Sequence, residues 1–292
     1  MARLMTTGAG GMLGQAVAVA AAAAGDELIE TDRAALDITD SAACERVIAD
    51  VKPDALINCA AWTDVDGAEA NEAAAFAVNE VGARNLAEAC AAHGVRMIQP
   101  STDYVFDGSE TGPYVESSPV NPQSAYGRSK LAGELAVAAA GGDHAIVRTS
   151  WLFGPGGRNF VDTMLALASE RPTIDVVRDQ IGSPTWAGHL APALVALSKS
   201  NSEGVFHAAG GGSCSWWDLA TAAFEATASP CEARPVTSDA FPRAAQRPAN
   251  SSLASERGDD AIVLPDWREG LAGYLEAVGA IDAAAGAAGG AQ

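Results

Sequence analysis

The sequence predicts an α/β fold, a doubly wound parallel sheet carrying a smaller α/β lobe. Three observations support this. Strand-like apolar runs alternate with helical segments through the first 150 residues. A glycine-rich turn joins the first run to the first helix. After Trp151 the alternation loosens, and Pro and Ser crowd the stretch from Pro230 to Ser252.

In chain order, Arg3 to Thr7 reads as the first strand and Met12 to Ala24 as the first helix. Glu27 to Thr31 is a second strand, and Ser41 is placed to cap a helix running to Asp50. Ala55 to Cys59 is an apolar run bounded by polar residues, hence a third strand, and Asn71 to Ala92 has the periodicity of one long amphipathic helix. Val95 to Pro100, the helix Ser124 to Ala140 and the strand Ala145 to Thr149 complete the first half. The second half reads as helices near 159–170, 188–198, 215–227 and 267–278, with strands near 174–177 and 205–207. The organisation expected is a dinucleotide-binding domain over 1–150 and a mainly substrate-binding lobe over 151–281. Some elements of that lobe return to the main sheet, and 282–292 form a flexible tail of Ala, Gly and Gln.

Composition narrows the function. A chain that is 48% hydrophobic has material for a real core. A net charge of −19 disfavours nucleic acid as partner, because phosphate contacts need clustered Lys and Arg. An anionic ligand must then be held by local devices, such as helix N-termini and a few arginines. The five cysteines form no C-x-x-C pair and the four histidines no H-x-x-x-H spacing, so neither a disulfide framework nor a catalytic metal is expected. There is no signal-peptide pattern, and the apolar stretch Ala16 to Ala24 is too short to span a bilayer. The expectation is a cytoplasmic protein, monomer or homodimer, with no membrane partner.

Thr7-Gly8-Ala9-Gly10-Gly11-Met12-Leu13-Gly14 follows the first strand and opens the first helix, giving G-x-x-G-x-x-G through Gly8, Gly11 and Gly14. Such glycines allow a tight turn and close backbone approach, and the helix N-terminus offers free N–H groups to a pyrophosphate. The strand–turn–helix context makes this a Rossmann-type dinucleotide site. Asp32 lies 18 residues past Gly14, near the spacing of about 20 expected of a ribose-binding acid, which favours NAD. Its neighbour Arg33 suits the 2′-phosphate of NADP, so both NADH and NADPH stay open. Asp37 and Ile38 are placed to cradle the adenine. Ala60, Ala61, Trp62 and Thr63 follow the third strand, where ligands of such sheets bind.

Tyr126 and Lys130 stand four apart on an expected helix and so share a face. An ammonium there favours the phenolate and lowers the tyrosine pKa from near 10 towards neutrality. Tyr126 then becomes a usable general acid for a carbonyl oxygen receiving a hydride. Upstream, Ser101 or Thr102 at a strand end offers a hydroxyl to the same oxygen. A Y-x-x-x-K pattern alone is common; its coincidence with the fingerprint and the hydroxyl strand end points to a reductase.

With these residues the chain resembles extended short-chain dehydrogenases, and within them the dTDP-4-dehydrorhamnose reductase family. The strings that carry the resemblance are Ser101-Thr102-Asp103-Tyr104-Val105-Phe106, Tyr126-Gly127-Arg128-Ser129-Lys130 and Arg148-Thr149-Ser150-Trp151. Asp179-Gln180-Ile181-Gly182-Ser183-Pro184-Thr185 and Arg247-Pro248-Ala249-Asn250-Ser251 complete it. The resemblance implies reduction of the sugar C4 carbonyl of a nucleotide-sugar substrate by a nicotinamide hydride. Thr102 and Tyr126 are then expected to hold that carbonyl, and Lys130 to bind nicotinamide ribose. Asp103, Tyr104 and Trp151 are expected in the sugar and nucleotide site, and Arg247 and Asn250 at the phosphates. Some members carry a Glu after the Pro-Thr of the D-Q string, used for magnesium at a dimer interface; Gly188 stands there in this chain, so no metal is expected.

Related dehydratases carry Asp-Glu after the Thr, whereas Asp103 is followed by Tyr104, which favours simple reduction. Another nucleotide-sugar 4-ketoreductase or an epimerase shares these motifs. A regulatory subunit like that of methionine adenosyltransferase shares the fold, but the retained Thr102, Tyr126, Lys130 and Arg247 argue for an enzyme.

Overall fold

The computed structural model describes residues 1–281, so the tail expected over 282–292 lies outside the described residues. The first half runs β1 (Arg3–Thr7), α1 (Met12–Ala23), β2 (Glu27–Thr31), α2 (Ser41–Val51), β3 (Ala55–Asn58), α3 (Val65–Ala70), α4 (Glu72–Phe76), α5 (Ala83–His93), β4 (Arg96–Thr102), α6 (Ala125–Ala139) and β5 (His144–Thr149). The second adds β6 (Leu152–Phe153), α7 (Phe160–Glu170), β7 (Thr173–Val177), β8 (Ile181–Gly182), β9 (Thr185–Trp186), α8 (Ala187–Leu197), β10 (Gly204–His207), β11 (Cys214–Ser215), α9 (Trp216–Ala226), β12 (Glu232–Val236) and α10 (Trp267–Ala277).

The main sheet has the order β2-β1-β3-β4-β5-β10, and every pairing in it is parallel. Parallel strands are buried on both faces, which is why they read as nearly continuous apolar runs. Alternate residues feed opposite layers. Leu4 and Ile57 pack with Val17, Ala21, Leu190 and Leu194, while Met5 and Leu56 pack with Ile48, Leu86 and Cys90. Helix α8 and strand β10 therefore complete the main layers from the second half of the chain. The remaining elements form the smaller lobe, with the parallel pair β7–β12 under α7 and α9. The chain leaves β1 in opposite directions to reach β2 and β3, so the crevice for a ligand opens at their carboxyl ends.

Two local expectations change, and one helix is new. Asp40, not Ser41, caps α2, its carboxylate accepting the Ala43 N–H at 3.1 Å. The long helix expected over Asn71 to Ala92 is α4, a π-helical segment (Ala77–Gly82) and α5. The widened turn presents the side chain of Asn79 inward, where it accepts the Trp62 N–H at 2.8 Å and donates to Ser129 Oγ at 2.9 Å. Gly133 of α6 lies against the Asn79 carbonyl with no room for a Cβ. Helix α3 had no sequence signal beyond Asp64, which caps it by accepting the Gly67 N–H at 2.9 Å.

Candidate active site

A cleft of about 370 Å³ opens at the carboxyl ends of β1 and β3. Gly8, Gly11, Asp32, Arg33, Asp37, Ile38, Ala60, Ala61 and Trp62 line it, as do Leu36 and Cys59. Gly8 has φ +64°, and a Cβ on it would sit 2.7 Å from the Ala60 nitrogen, so only glycine lets the two loops meet. Gly14 is buried and packs against the Gly8 carbonyl, serving the close approach of α1 to β1. Gly11 caps α1 without a side chain, which leaves first-turn N–H groups free for an anion. Met12 and Leu13 offer only their backbones there. The Met12 side chain faces the turn at Gly154 and Gly157, and Leu13 packs into the core. Thr63 does not line the cleft. Asp32 accepts the N–H groups of Ala34 and Ala35 at 2.9 Å, and Asp37 accepts Thr39 N–H at 3.0 Å, so both carboxylates also brace their own loop. A cradle that a Cβ would fill, with free amides at its helix end, fits a dinucleotide.

At the next strand end, Ser101 and Thr102 separate. The Ser101 hydroxyl donates to Glu134 inside the core. Thr102 donates to Asp103 Oδ1 at 2.9 Å and lies in hydrogen-bond reach of Tyr126. Asp103 is buried and also accepts the Ser150 hydroxyl at 2.9 Å; burial pushes its carboxyl up to about 6, against the pull of those hydroxyls. Tyr126 packs edge-on to Tyr104, with ring centroids 5.6 Å apart, and shares with Trp62 the small cluster around Ala68, Ala75 and Ala125. It thus stands where the wall of the cleft meets the neighbouring cavity.

Lys130 does not lower the Tyr126 pKa, contrary to the expectation from their spacing. Burial pushes the Tyr126 phenol up to about 12, and Lys130 is not among the groups that shift it. The ammonium instead donates to the Pro100 carbonyl at 2.8 Å. Burial brings Lys130 down to about 8, and Glu134, one turn along α6, works against that fall. Glu134 is itself gripped by Arg148 through the Nη2–Oε2 contact at 2.7 Å, with both side chains buried. The remaining letters of the Tyr-Lys motif are structural. Gly127 admits the Tyr104 carbonyl, Arg128 pairs with Glu72 at 2.7 Å, and Ser129 receives Asn79.

The RmlD substrate binding domain family model matches residues 2–279. The chain belongs to this family. It is 48% identical to the dTDP-4-dehydrorhamnose reductase of Mycobacterium tuberculosis (strain CDC 1551 / Oshkosh) over 284 residues, 94% of this chain and 93% of that protein. It is 43% identical to the dTDP-4-keto-6-deoxy-D-glucose reductase of Streptomyces niveus, over 90% of this chain and 92% of that protein. Among solved structures, the dTDP-4-dehydrorhamnose reductase of Bacillus anthracis in complex with NADP superposes with a TM-score of 0.91 at 37% identity, covering 94% of this chain and 98% of that one.

Beside Tyr104, a second cavity of about 760 Å³ runs through the smaller lobe of this family member, lined by Phe160, Met164, Trp216, Gln180, Arg234 and Arg247 among others. An adjoining cavity of about 520 Å³ takes in Trp151, Arg158, Arg243 and Arg247. Together they collect Arg158, Arg171, Arg234, Arg243 and Arg247 in a chain of net charge −19. Trp151 holds φ +45°, a conformation that costs a non-glycine residue about 1 kcal/mol. Its ring stacks on Trp216 with centroids 3.4 Å apart, over Gly182, where a side chain would collide with it.

Asn250, expected at the phosphates, faces elsewhere. Its amide donates to the carbonyls of Glu110 at 2.9 Å and Gly112 at 2.7 Å, and its oxygen accepts from Ser252, so it pins the 108–112 loop. Trp216 and Arg243 went unseen in the sequence, and Gln180 stands out there only as part of a motif string, because their place in the cavity follows from packing across the lobe and not from a local pattern. At Gly188 the Trp186 ring comes within 2.5 Å of where a Cβ would stand, so any side chain there would have to displace the ring. Among the described residues no three His, Cys, Asp or Glu side chains converge as a metal site.

Proposed function

We propose that the chain catalyses NADPH-dependent reduction of dTDP-4-dehydro-β-L-rhamnose at C4 to give dTDP-β-L-rhamnose. The observation that carries this reading is Tyr126, set with Thr102 between the nucleotide cleft and an arginine-lined cavity, in a chain 48% identical to a named reductase of that sugar. The cofactor, when bound in the Gly8–Trp62 cleft, supplies the hydride. Tyr126 donates to the carbonyl oxygen, and the Thr102 hydroxyl, whose one proton rests on Asp103 in the empty site, turns that proton to the same oxygen when substrate binds. Tyr126 then gives its proton to that oxygen as negative charge develops on it. A phenol pushed up to about 12 is fully protonated at neutral pH, the form a general acid needs, and an alkoxide is a far stronger base than the phenolate left behind. Lys130 supplies positive charge beneath the site, and the stacked rings of Trp151 and Trp216 give the cavity an apolar wall.

Arg33 faces the cleft and supports NADPH, as does the NADP-bound Bacillus anthracis relative. We place the protein in the cytoplasm, as monomer or homodimer; its five free thiols suit a reducing compartment, and no helix of the described residues is long and apolar enough to cross a membrane. The 43% identity to the Streptomyces niveus enzyme makes dTDP-4-keto-6-deoxy-D-glucose the competing substrate. The test is purified protein with NADPH and each of the two sugar nucleotides, followed at the nicotinamide absorbance. Oxidation with the rhamnose precursor in clear preference is expected, and no oxidation with it refutes the reading.

A further inference from the structure

Asp66 stands between the two binding regions. It lies in the first turn of α3, just after the Ala60–Trp62 loop of the nucleotide cleft, yet its carboxylate faces the 243–247 segment of the other half. Oδ1 accepts the Ala245 N–H at 3.1 Å, and Oδ2 accepts Arg247 Nη2 at 2.8 Å while lying 3.6 Å from Arg243 Nη1. Both guanidinium groups line the two cavities of the smaller lobe. Arg247 is further fixed by its own bond to the Ala245 carbonyl and by its position over the Tyr104 ring, 6.0 Å from the centroid. The same short helix carries Glu69, which accepts the Ala125 N–H at 2.8 Å beside Tyr126. Helix α3 therefore ties the cleft loop, the catalytic helix and the arginine segment together.

A forked guanidinium aimed into a ligand cavity is a phosphate ligand in waiting, and here a carboxylate holds two of them. We infer that Asp66 is a positioning residue that stands in for the phosphates of the incoming nucleotide sugar. It keeps Arg243 and Arg247 in place while the cavity is empty and yields them to the diphosphate on binding. This rests on the nucleotide-sugar reading above. One carboxylate against two guanidinium groups leaves one positive charge uncompensated, which draws the diphosphate in. The carboxylate that remains nearby repels the bound phosphates, which limits affinity and favours release of the product nucleotide.

The test is isothermal titration of thymidine diphosphate into the NADPH-loaded protein, wild type and Asp66→Asn. The amide keeps an oxygen for the Ala245 N–H, while the oxygen that holds Arg247 becomes an NH2, so the charge and that one bond are lost. Removing one unit repulsion at a few ångströms in a water-exposed setting is expected to tighten binding about fivefold. The KM for the sugar nucleotide falls by the same factor while kcat does not rise. A merely structural Asp66 predicts the opposite, looser binding and higher KM, and equal or weaker binding by the variant overturns the inference. Failure of the wild type to bind thymidine diphosphate, with NADPH binding intact, refutes the nucleotide-sugar reading instead. Should Asp66→Asn lose thermal stability, Asp66→Ser repeats the same comparison.

Discussion

The Thr102 hydroxyl donates to its neighbour Asp103 at 2.9 Å, so the side chain expected to hold the substrate carbonyl is itself oriented by a buried acid. Asp103 also receives Ser150, which ties the end of β4 to the turn before Trp151. Burial has raised this carboxyl from 3.8 to about 6. Between those pH values the folded state holds a proton that the unfolded chain has lost, so stability falls as pH rises through the window. Asp103→Asn removes that charge. Its stability relative to wild type should therefore climb between about pH 4 and pH 6, by an amount of order 2–3 kcal/mol, in urea melts compared across that range. A difference that stays flat over the window contradicts a raised Asp103.

The Tyr126 hydroxyl is in reach of Thr102, while the contacts that pack α6 here come from Gly127, Arg128 and Ser129. Tyr126→Phe should fold with an unchanged melting temperature and bind NADPH as wild type does. Its kcat should fall by about 10² to 10⁴, the range of a lost general acid. Single-turnover reduction measured beside an NADPH titration checks this, and full activity in the variant sinks the mechanism.

Lys130, brought down to about 8 by burial, is charged at neutral pH and loses its proton as pH rises past that value. Activity should decline on the alkaline side accordingly. Glu134 holds the lysine pKa up, so removing the acid should move the alkaline limb to lower pH. Glu134→Gln alone strands Arg148 as a buried charge, a loss of about 3–5 kcal/mol. The paired change Glu134→Gln with Arg148→Met avoids that loss. The pH profile of kcat for this double variant is the measurement, and an unmoved alkaline limb refutes the link.

Gly8→Ala puts a methyl group 2.7 Å from the Ala60 nitrogen in a left-handed turn at φ +64°. The β1 and β3 loops must part to admit it. NADPH affinity, read by quenching of tryptophan fluorescence, should drop at least about tenfold, with a stability loss of about 1–3 kcal/mol. Gly112→Ala, whose Cβ meets nothing within 4 Å and which lies outside the cleft, is the control and should bind as wild type.

Some of this was legible along the chain because its cause is local. The apolar runs of β1 to β5, the glycine turn before α1 and the four-residue step from Tyr126 to Lys130 each depend on a few consecutive residues, whose backbone periodicity the sequence states directly. Gly8 and Gly14 declared a turn, and the turn is there. Tertiary structure decided what depends on distant partners and on exclusion of water. It divided Ser101 from Thr102 by bringing Glu134 to the first and Asp103 to the second. It turned Asn250 away to hold the 108–112 loop, and set Asp66 against Arg247 across 181 positions of chain. It also raised the Tyr126 pKa instead of lowering it, because burial acts on the three-dimensional surroundings of a group and leaves no mark on its sequence neighbours.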